Sequence, residues 1–363
     1  MSKPLNRVLH VITTIELGGA EKQLLILARE QVALGAEVHI AYLKGNPDLR
    51  LSFEAQGIRV YRLNGGLFSQ LIGLRRICKI SRIDLMHTHL PRAELVGGLS
   101  FINLPMILTR HNTEQFFPGV PSFLSRLISN FVCMRASAIV AISDAVRNFL
   151  INTREVPLSK DIHVIKYGAD KSLQSFQSSQ TIAESGLRIL SIGRLVSQKD
   201  YPTALKALVK LKDLGISFSY TIVGLGPLKK ELTELSILLG ISEKISWIGK
   251  THYIEEYLRN SDVFILPSRY EGFGLVLLES MAQDIPILAA NCPAVEEVLG
   301  ENFPGLFPLS DFNCLAQLLQ RIPNLSFQNE LRELARKRLS LFDPVAMAKE
   351  VDQLYREVIL KIS

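Results

Sequence analysis

Short apolar runs alternate with longer stretches of helical periodicity along almost the whole chain. The runs RVLHVIT (7–13), AEVHIAYL (36–43), IRVYRL (58–63), DLMHTH (84–89), MILTR (106–110), ASAIVAIS (136–143) and DIHVIKYG (161–168) read as strands. Between the first two, GAEKQLLILAREQVALG carries apolar positions at helical spacing and stops at Gly35. Strands that are apolar throughout, each followed by a helix, predict a parallel sheet covered on both faces. At Lys171 the pattern lapses into KSLQSFQSSQTIAESG, rich in Ser and Gln, which reads as a linker over 171–186. It then restarts with LRILSIGR, FSYTIVG, KISWIG, DVFILPS and IPILAA. The expected architecture is α/β, with two Rossmann-like α/β/α domains, over 1–170 and 187–342, facing each other across a cleft. The last segment, 343–363, opens with Pro344 and has a long amphipathic pattern. It is expected to form a helix that packs back on the N-terminal domain.

The chain has 363 residues, 47% hydrophobic and 21% charged, enough for two cores and unlike a disordered chain. Four scattered cysteines, Cys78, Cys133, Cys292 and Cys314, form no C-x-x-C and read as buried free thiols of a reducing compartment. The basic start and apolar run at the N-terminus are interrupted by His10 and lead into Glu16, so they read as a first strand rather than a signal peptide. No run approaches the ~20 apolar residues of a membrane span. These features predict a cytoplasmic location.

Charge changes that picture at one place. Residues 1–170 hold 20 Lys and Arg against 13 Asp and Glu, whereas the remainder is close to balance. Two stretches, Ala55–Ile83 and Gln115–Ser143, contain no acid at all. The first carries Arg59, Arg62, Arg75, Arg76, Lys79 and Arg82; the second sets Arg126 and Arg135 among Phe116, Phe117, Phe123, Leu127 and Phe131. Cations interleaved with aromatic and aliphatic residues suit the inner face of a membrane rich in anionic lipid, though helix packing gives the same pattern. No nucleic-acid-binding motif accompanies the charge, so no nucleic-acid partner is expected.

The stretch with the most chemistry is SRYEGFGLVLLES, 268–280, just after the strand DVFILPS. Gly272, Phe273 and Gly274 form a loop that opens a helix, and the amides of Leu275 and Val276 at the helix start could hold an anion. Glu271 and Glu279 flank that place. Like charge keeps both off a phosphate, but each can accept from hydroxyls on either side of it. Sugar, diphosphate and ribose have that layout. The bland alternative is two surface carboxylates, and a glycosidase pair is a further one. Gly224-Leu225-Gly226 is a partial dinucleotide fingerprint, but Lys229 stands where its third glycine belongs.

EGFGLVLLES resembles the E-x7-E signature of retaining glycosyltransferase family 4, a GT-B fold group (glycosyl transferases group 1). IELGGAEKQLLILARE, LSIGRLVSQKDYPTALKAL, YTIVGLGPLKKEL and ISWIGK follow the same family in order, so the likeness runs from about residue 8 to 355. The resemblance implies that Gly18 and Gly19 let backbone approach a diphosphate and that Arg194 and Lys199 neutralise it without a divalent metal. It implies Glu279 on the ribose hydroxyls and Glu271, with Gly272, Phe273 and Gly274, on the transferred sugar. Ile248 and Gly249 would lie beside the base, and Leu275 and Val276 at the phosphate. His111, in LTRHNT, resembles the family's histidine beside donor sugar and acceptor, with Asn112 next to it. His87 and His89 of HTH read as an acceptor-cleft wall; no third ligand is evident, so no metal site is expected there. Tyr167 departs from the family, which often has Asn at that point.

The implied activity is retaining transfer from a UDP- or GDP-type sugar to a hydroxyl of a glycan or lipid-linked acceptor, in bacterial cell-surface polysaccharide or lipopolysaccharide synthesis. The N-terminal domain would hold the acceptor and the C-terminal domain the donor. Glu271 would position the sugar, and cleft closure would bring Gly18, Gly19 and His111 over it. No cofactor is expected, and the membrane association would be peripheral. A nucleotide-sugar epimerase or hydrolase of the same fold, and a non-catalytic sugar-binding protein, remain as alternatives.

Overall fold

The structure is a computed structural model, and it describes residues 7–170, 186–251 and 253–361. The linker expected over 171–186 therefore lies, except for Gly186, outside the described residues. These residues form two compact units. One comprises 7–168 with 342–361, the other 169–170 with 186–341.

The first unit is built on a sheet of seven parallel strands: β1 (Arg7–Ile12), β2 (Glu37–Tyr42), β3 (Arg59–Arg62), β4 (Leu85–His89), β5 (Met106–Arg110), β6 (Ala138–Ala141) and β7 (Ile162–Val164). Their order is β3-β2-β1-β4-β5-β6-β7. Strands β4, β5 and β6 are buried at every position, as a sheet covered on both faces requires. The order reverses between β1 and β4, which pair with His10 opposite His87 and Ile12 opposite His89. The helix Gly19–Ala33 connects β1 to β2; Gly35, at φ +93°, ends it in the left-handed region that a glycine adopts without strain.

The helix Pro344–Leu360 belongs to this unit. Asp343 caps it by accepting from the Val345 amide, and Pro344 sits at its first position. Its Met347, Ala348, Val351, Leu354, Tyr355 and Val358 join Val8, Leu27, Leu85 and Ile107 in one core cluster.

The second unit repeats the construction with β8 (Leu187–Ile192), β9 (Phe218–Val223), β10 (Ile245–Ile248), β11 (Val263–Leu266), β12 (Ile287–Ala290) and β13 (Leu306–Phe307). The order is β10-β9-β8-β11-β12-β13, again all parallel, and it reverses between β8 and β11. Each sheet thus has one point where loops leave neighbouring strand ends in opposite directions. In open α/β sheets that point is where ligands bind. Cys78, Cys133 and Cys292 are buried free thiols; Cys314 is unpaired too but only half-buried, because its helix, Phe312–Arg321, lies at the surface. Among the described residues, no helix is long and apolar enough to cross a membrane.

The core position of the last helix gives a direct test. Leu354→Ala should lower the stability of the first unit by ~2–5 kcal/mol, the usual cost of a large-to-small change in a core, measured as the urea unfolding midpoint. A change within a few tenths of a kcal/mol would mean that this helix does not complete the core.

Candidate functional site

In the second unit the site grows from the two loops at the reversal. One follows β8 and runs from Gly193 to Asp200; the other follows β11 and runs to Gly274, where the helix Leu275–Ala282 begins. Gly274 has φ +87°, a conformation open to glycine, and this lets the chain turn directly from loop to helix. The first-turn amides of that helix, Leu275 and Val276 among them, have no partner within it. Glu279 lies on its second turn and is 8% exposed.

The two loops are stitched together. Lys199 Nζ lies 2.5 Å from Glu271 Oε1. The Arg269 amide donates to Gln198 O at 2.9 Å, and Gln198 Nε2 donates to Tyr270 O at 2.9 Å. Asp200 anchors the first loop: it pairs with Arg269 at 3.2 Å and accepts from Ser310 Oγ at 2.7 Å and Thr203 Oγ1 at 2.9 Å. Arg194 is exposed, and its guanidinium reaches Gln198 Oε1 at 3.4 Å.

The glycines of 224–226 have a packing role. A Cβ on Gly224 would lie 1.9 Å from Gly193 O, and one on Gly226 would lie 2.3 Å from Leu195 O. Backbone therefore runs against backbone, and Leu195 N donates to Leu225 O at 2.9 Å. Ile248 ends β10 beside this loop, its carbonyl accepting from Gly224 N at 2.9 Å, with Gly249 exposed after it. Gly272 and Phe273 are buried, so Phe273 offers backbone rather than its ring.

The first unit places its candidates differently. Gly18 is extended at the start of the helix Gly19–Ala33, and a Cβ there would lie 2.3 Å from Glu21 Oε2. Glu21 also accepts from Thr14 Oγ1 at 2.6 Å. The carboxylate of Glu21 thus folds back beside Gly18, in space that a side chain at 18 would share. Asn112 Nδ2 donates to Glu114 Oε2 at 3.4 Å.

His87 and His89 are 1% and 2% exposed, so they do not line an open wall as expected. The adjoining cavity, lined also by Gln23, His111, Tyr167 and Met347, has a volume of about 30 Å³. That is room for about two waters between these side chains.

These two histidines are instead part of a buried polar chain. His89 Nδ1 lies 3.1 Å from His111 Nε2, and His89 Nε2 lies 3.0 Å from His10 Nδ1. His10 Nε2 meets Gln31 Oε1 at 2.8 Å. His87 Nδ1 meets Tyr355 Oη at 2.6 Å, and its Nε2 meets Thr109 Oγ1 at 2.7 Å. His111 Nδ1 contacts Tyr167 Oη. The expectation that His87 and His89 have no third partner is corrected: nitrogens of His10, His87 and His89 all lie within 4.8 Å of one another. Sequence reading missed His10, Gln31 and Tyr355, and the one available signal was a histidine inside the apolar run of β1.

Burial lowers all four rings. His10 falls to about 4, His87 and His89 fall well below the usual range, and His111 falls to about 3, with the Arg110 cation adding to the effect of burial. Arg110 itself is buried between Glu94, at 2.9 Å, and Glu155, at 3.4 Å, and lies 4.4 Å from the centre of the Phe116 ring. This cluster holds the chain where it leaves β5 toward His111. Burial raises Glu94 to about 7 in spite of Arg110.

Two family models match the chain. Glycosyltransferase Family 4 covers residues 17–173 and Glycosyl transferases group 1 covers 174–337. An uncharacterized glycosyltransferase of Haemophilus influenzae is 25% identical over 323 residues, 86% of this chain and 88% of its own. The amylovoran biosynthesis glycosyltransferase AmsK of Erwinia amylovora is 32% identical over 145 residues, 38% of this chain and 36% of its own. Among solved structures, Anabaena HepE in complex with UDP and glucose superposes with a TM-score of 0.80 at 17% identity, covering 97% of this chain and 100% of that one. At that identity the likeness speaks for the fold.

The histidines make stability depend on pH with a definite sign. Their folded values lie below the ordinary 6.5, so the unfolded chain takes up protons first as pH falls. Their contribution is complete above about pH 6.5 and is lost as pH drops toward about 4, at about 1.4 kcal/mol per pH unit for each ring that stays neutral. Glu94 acts in the opposite sense, because its folded value is raised. The net expectation is an unfolding midpoint in urea that falls steeply from pH 6.5 to 4.5. A flat profile over that interval would contradict burial of neutral rings.

Proposed function

The chain belongs to the group 1 glycosyltransferases of family 4, and on that premise we propose that it moves a sugar from a nucleotide-diphosphate sugar to a hydroxyl of a glycan or lipid-linked acceptor. Transfer retains the anomeric configuration and uses no divalent metal. The observation that carries this reading is the meeting of Lys199 and Glu271 at 2.5 Å. They come from the two loops that leave β8 and β11 where the strand order reverses, beside the start of the helix Leu275–Ala282.

A diphosphate at that place gains the Lys199 ammonium, the exposed Arg194 guanidinium and the helix amides. As the glycosidic bond breaks, the leaving nucleoside diphosphate accumulates negative charge, and these fixed groups stabilise it. Glu271 accepts from the sugar hydroxyls and Glu279 from the ribose. The acceptor hydroxyl attacks the face that the diphosphate leaves, and a departing phosphate oxygen takes its proton. The first unit provides the acceptor side, with His111 as a neutral hydrogen-bonding group. HepE's complex with UDP and glucose favours a UDP-type donor, and AmsK, named for amylovoran biosynthesis, favours a polysaccharide product.

The first unit also offers a membrane-facing surface. The helix Leu67–Ile80 exposes Phe68, Ile72 and Ile80, and the helix Ser122–Arg135 exposes Phe123, Leu127 and Met134. Both pack against the helix Pro91–Leu99, and neither carries an acid. Arg135 lies over the ring of the exposed Phe101 at 5.0 Å. Exposed aromatic and aliphatic side chains among cations fit an anionic bilayer surface at the cytoplasmic face, where a lipid-linked acceptor would be met.

Two experiments test these statements. Arg194→Ala and Lys199→Ala, each checked for folding, should lower turnover by about 10²-fold, as loss of one charge-stabilising donor does. Undiminished turnover in both would remove the leaving-group argument. The protein should pellet with vesicles of phosphatidylglycerol at low salt, and Phe68→Ser with Phe123→Ser should abolish this. Equal pelleting with neutral vesicles, or no loss in the double variant, would remove the membrane reading.

A further inference from the structure

The buried side chains beneath His111 form a continuous chain whose hydrogen bonds can be counted. A neutral imidazole has one N–H and one bare nitrogen. Gln31 Oε1 can only accept, so His10 carries its proton on Nε2, 2.8 Å away. His10 Nδ1 is then bare and accepts from His89 Nε2–H at 3.0 Å. This leaves His89 Nδ1 bare, accepting from His111 Nε2–H at 3.1 Å. His111 Nδ1 is bare in turn and accepts from the Tyr167 hydroxyl. On the other side of the amide, Gln31 Nε2 donates to Tyr355 Oη at 3.3 Å. Tyr355 donates to His87 Nδ1 at 2.6 Å, and His87 Nε2–H donates to Thr109 Oγ1 at 2.7 Å. Every bond has one donor and one acceptor, every ring is neutral, and all point one way.

We propose that Gln31, His10 and His89 are positioning residues that lock His111 as the Nε2–H tautomer, so that its Nδ1 can only accept a hydrogen bond. A hydroxyl that takes the place of Tyr167 at that nitrogen must therefore donate its proton.

A metal ion held by His10, His87 and His89 is the competing reading of this cluster, since three of their ligand nitrogens lie within 4.8 Å. The counted chain favours hydrogen bonds, because each of the six ring nitrogens of these residues already faces a partner at 2.6–3.1 Å. Nor is the chain a proton conduit. Reversing it would need Gln31 to pass a proton through a neutral amide, which readily transmits orientation but not protons. The arrangement sets a tautomer in the way that a partner on one ring nitrogen fixes the role of the other. Its tautomeric part stands independently of the function proposed above; its consequence for a substrate hydroxyl rests on that reading.

The test is nuclear magnetic resonance of the full chain with ring-¹⁵N-labelled histidine at neutral pH, resonances being assigned by single His→Gln substitutions. His10, His87, His89 and His111 should all show the Nε2–H pattern in the metal-free protein. Two variants then separate a lock from mere packing, since each removes a buried hydrogen bond at a neighbouring position. Gln31→Met should give His10, His89 and His111 a mixture of tautomers and leave His87 as it was. Tyr355→Phe should do the reverse, disturbing His87 and leaving His111 unchanged. His111 found protonated on Nδ1 in the unmodified protein, or unmoved by Gln31→Met, would overturn the proposal. Zinc bound stoichiometrically after purification without added metal would overturn it in favour of the ion. The unmodified protein alone decides the first point, so the proposal does not depend on either variant folding.

Discussion

The constraint on which the rest depends is the reversal of strand order within each parallel sheet. At β1/β4 and again at β8/β11, neighbouring strands send their connections to opposite faces. Loops and helix N-termini gather at those strand ends, with backbone groups that no further strand can pair. In the second unit the result is a short cationic and acidic motif held by Lys199–Glu271 and by the hub at Asp200. Asp200 adopts φ +43°, a left-handed conformation that costs a non-glycine residue about 1–2 kcal/mol. Its three side-chain contacts offset that cost and fix the loop that carries Lys199.

The same constraint has a different outcome in the first unit. There the strands flanking the reversal carry histidines that point into the interior, and the last helix of the chain closes over them with Tyr355. A polar group buried without a partner is expensive, so the cluster persists only because its hydrogen bonds are complete. Completeness in turn forces the rings to be neutral and their protons to be ordered. A site residue at the edge of such a cluster inherits its protonation from residues that never meet a substrate. Glu94, Arg110 and Glu155 add a second buried polar group on the other side of His111, so the loop that bears it is held from both directions.

Much of this was legible in the chain. Runs such as MILTR and DVFILPS gave the strands because a doubly covered strand must be apolar throughout, and the lapse after Lys171 separated two series of them. EGFGLVLLES led to the loop and helix of the second unit because glycine, carboxylate and helix start stand close together in sequence. Pairings across distance were less legible. His10 looked like a flaw in an apolar strand, since its partners Gln31 and His89 lie 21 and 79 residues away. HTH looked like a cleft wall because alternation along a strand does not say which face is covered, or by what. The helix that covers it begins more than 250 residues later. The return of the Glu21 carboxylate to Gly18 left no mark in the sequence, and only the folded chain shows it. Strand β13, two residues long, left no pattern to read.

The central claim is that side-chain cations and helix amides at the β8/β11 reversal hold a diphosphate. A crystal of the protein grown with a nucleoside diphosphate and no divalent metal tests it most directly. The account predicts phosphate oxygens on Lys199 Nζ and on the amides of Leu275 and Val276, with the ribose against Glu279. A well-ordered nucleotide seated elsewhere, or one that appears only when a divalent ion is supplied, would contradict it.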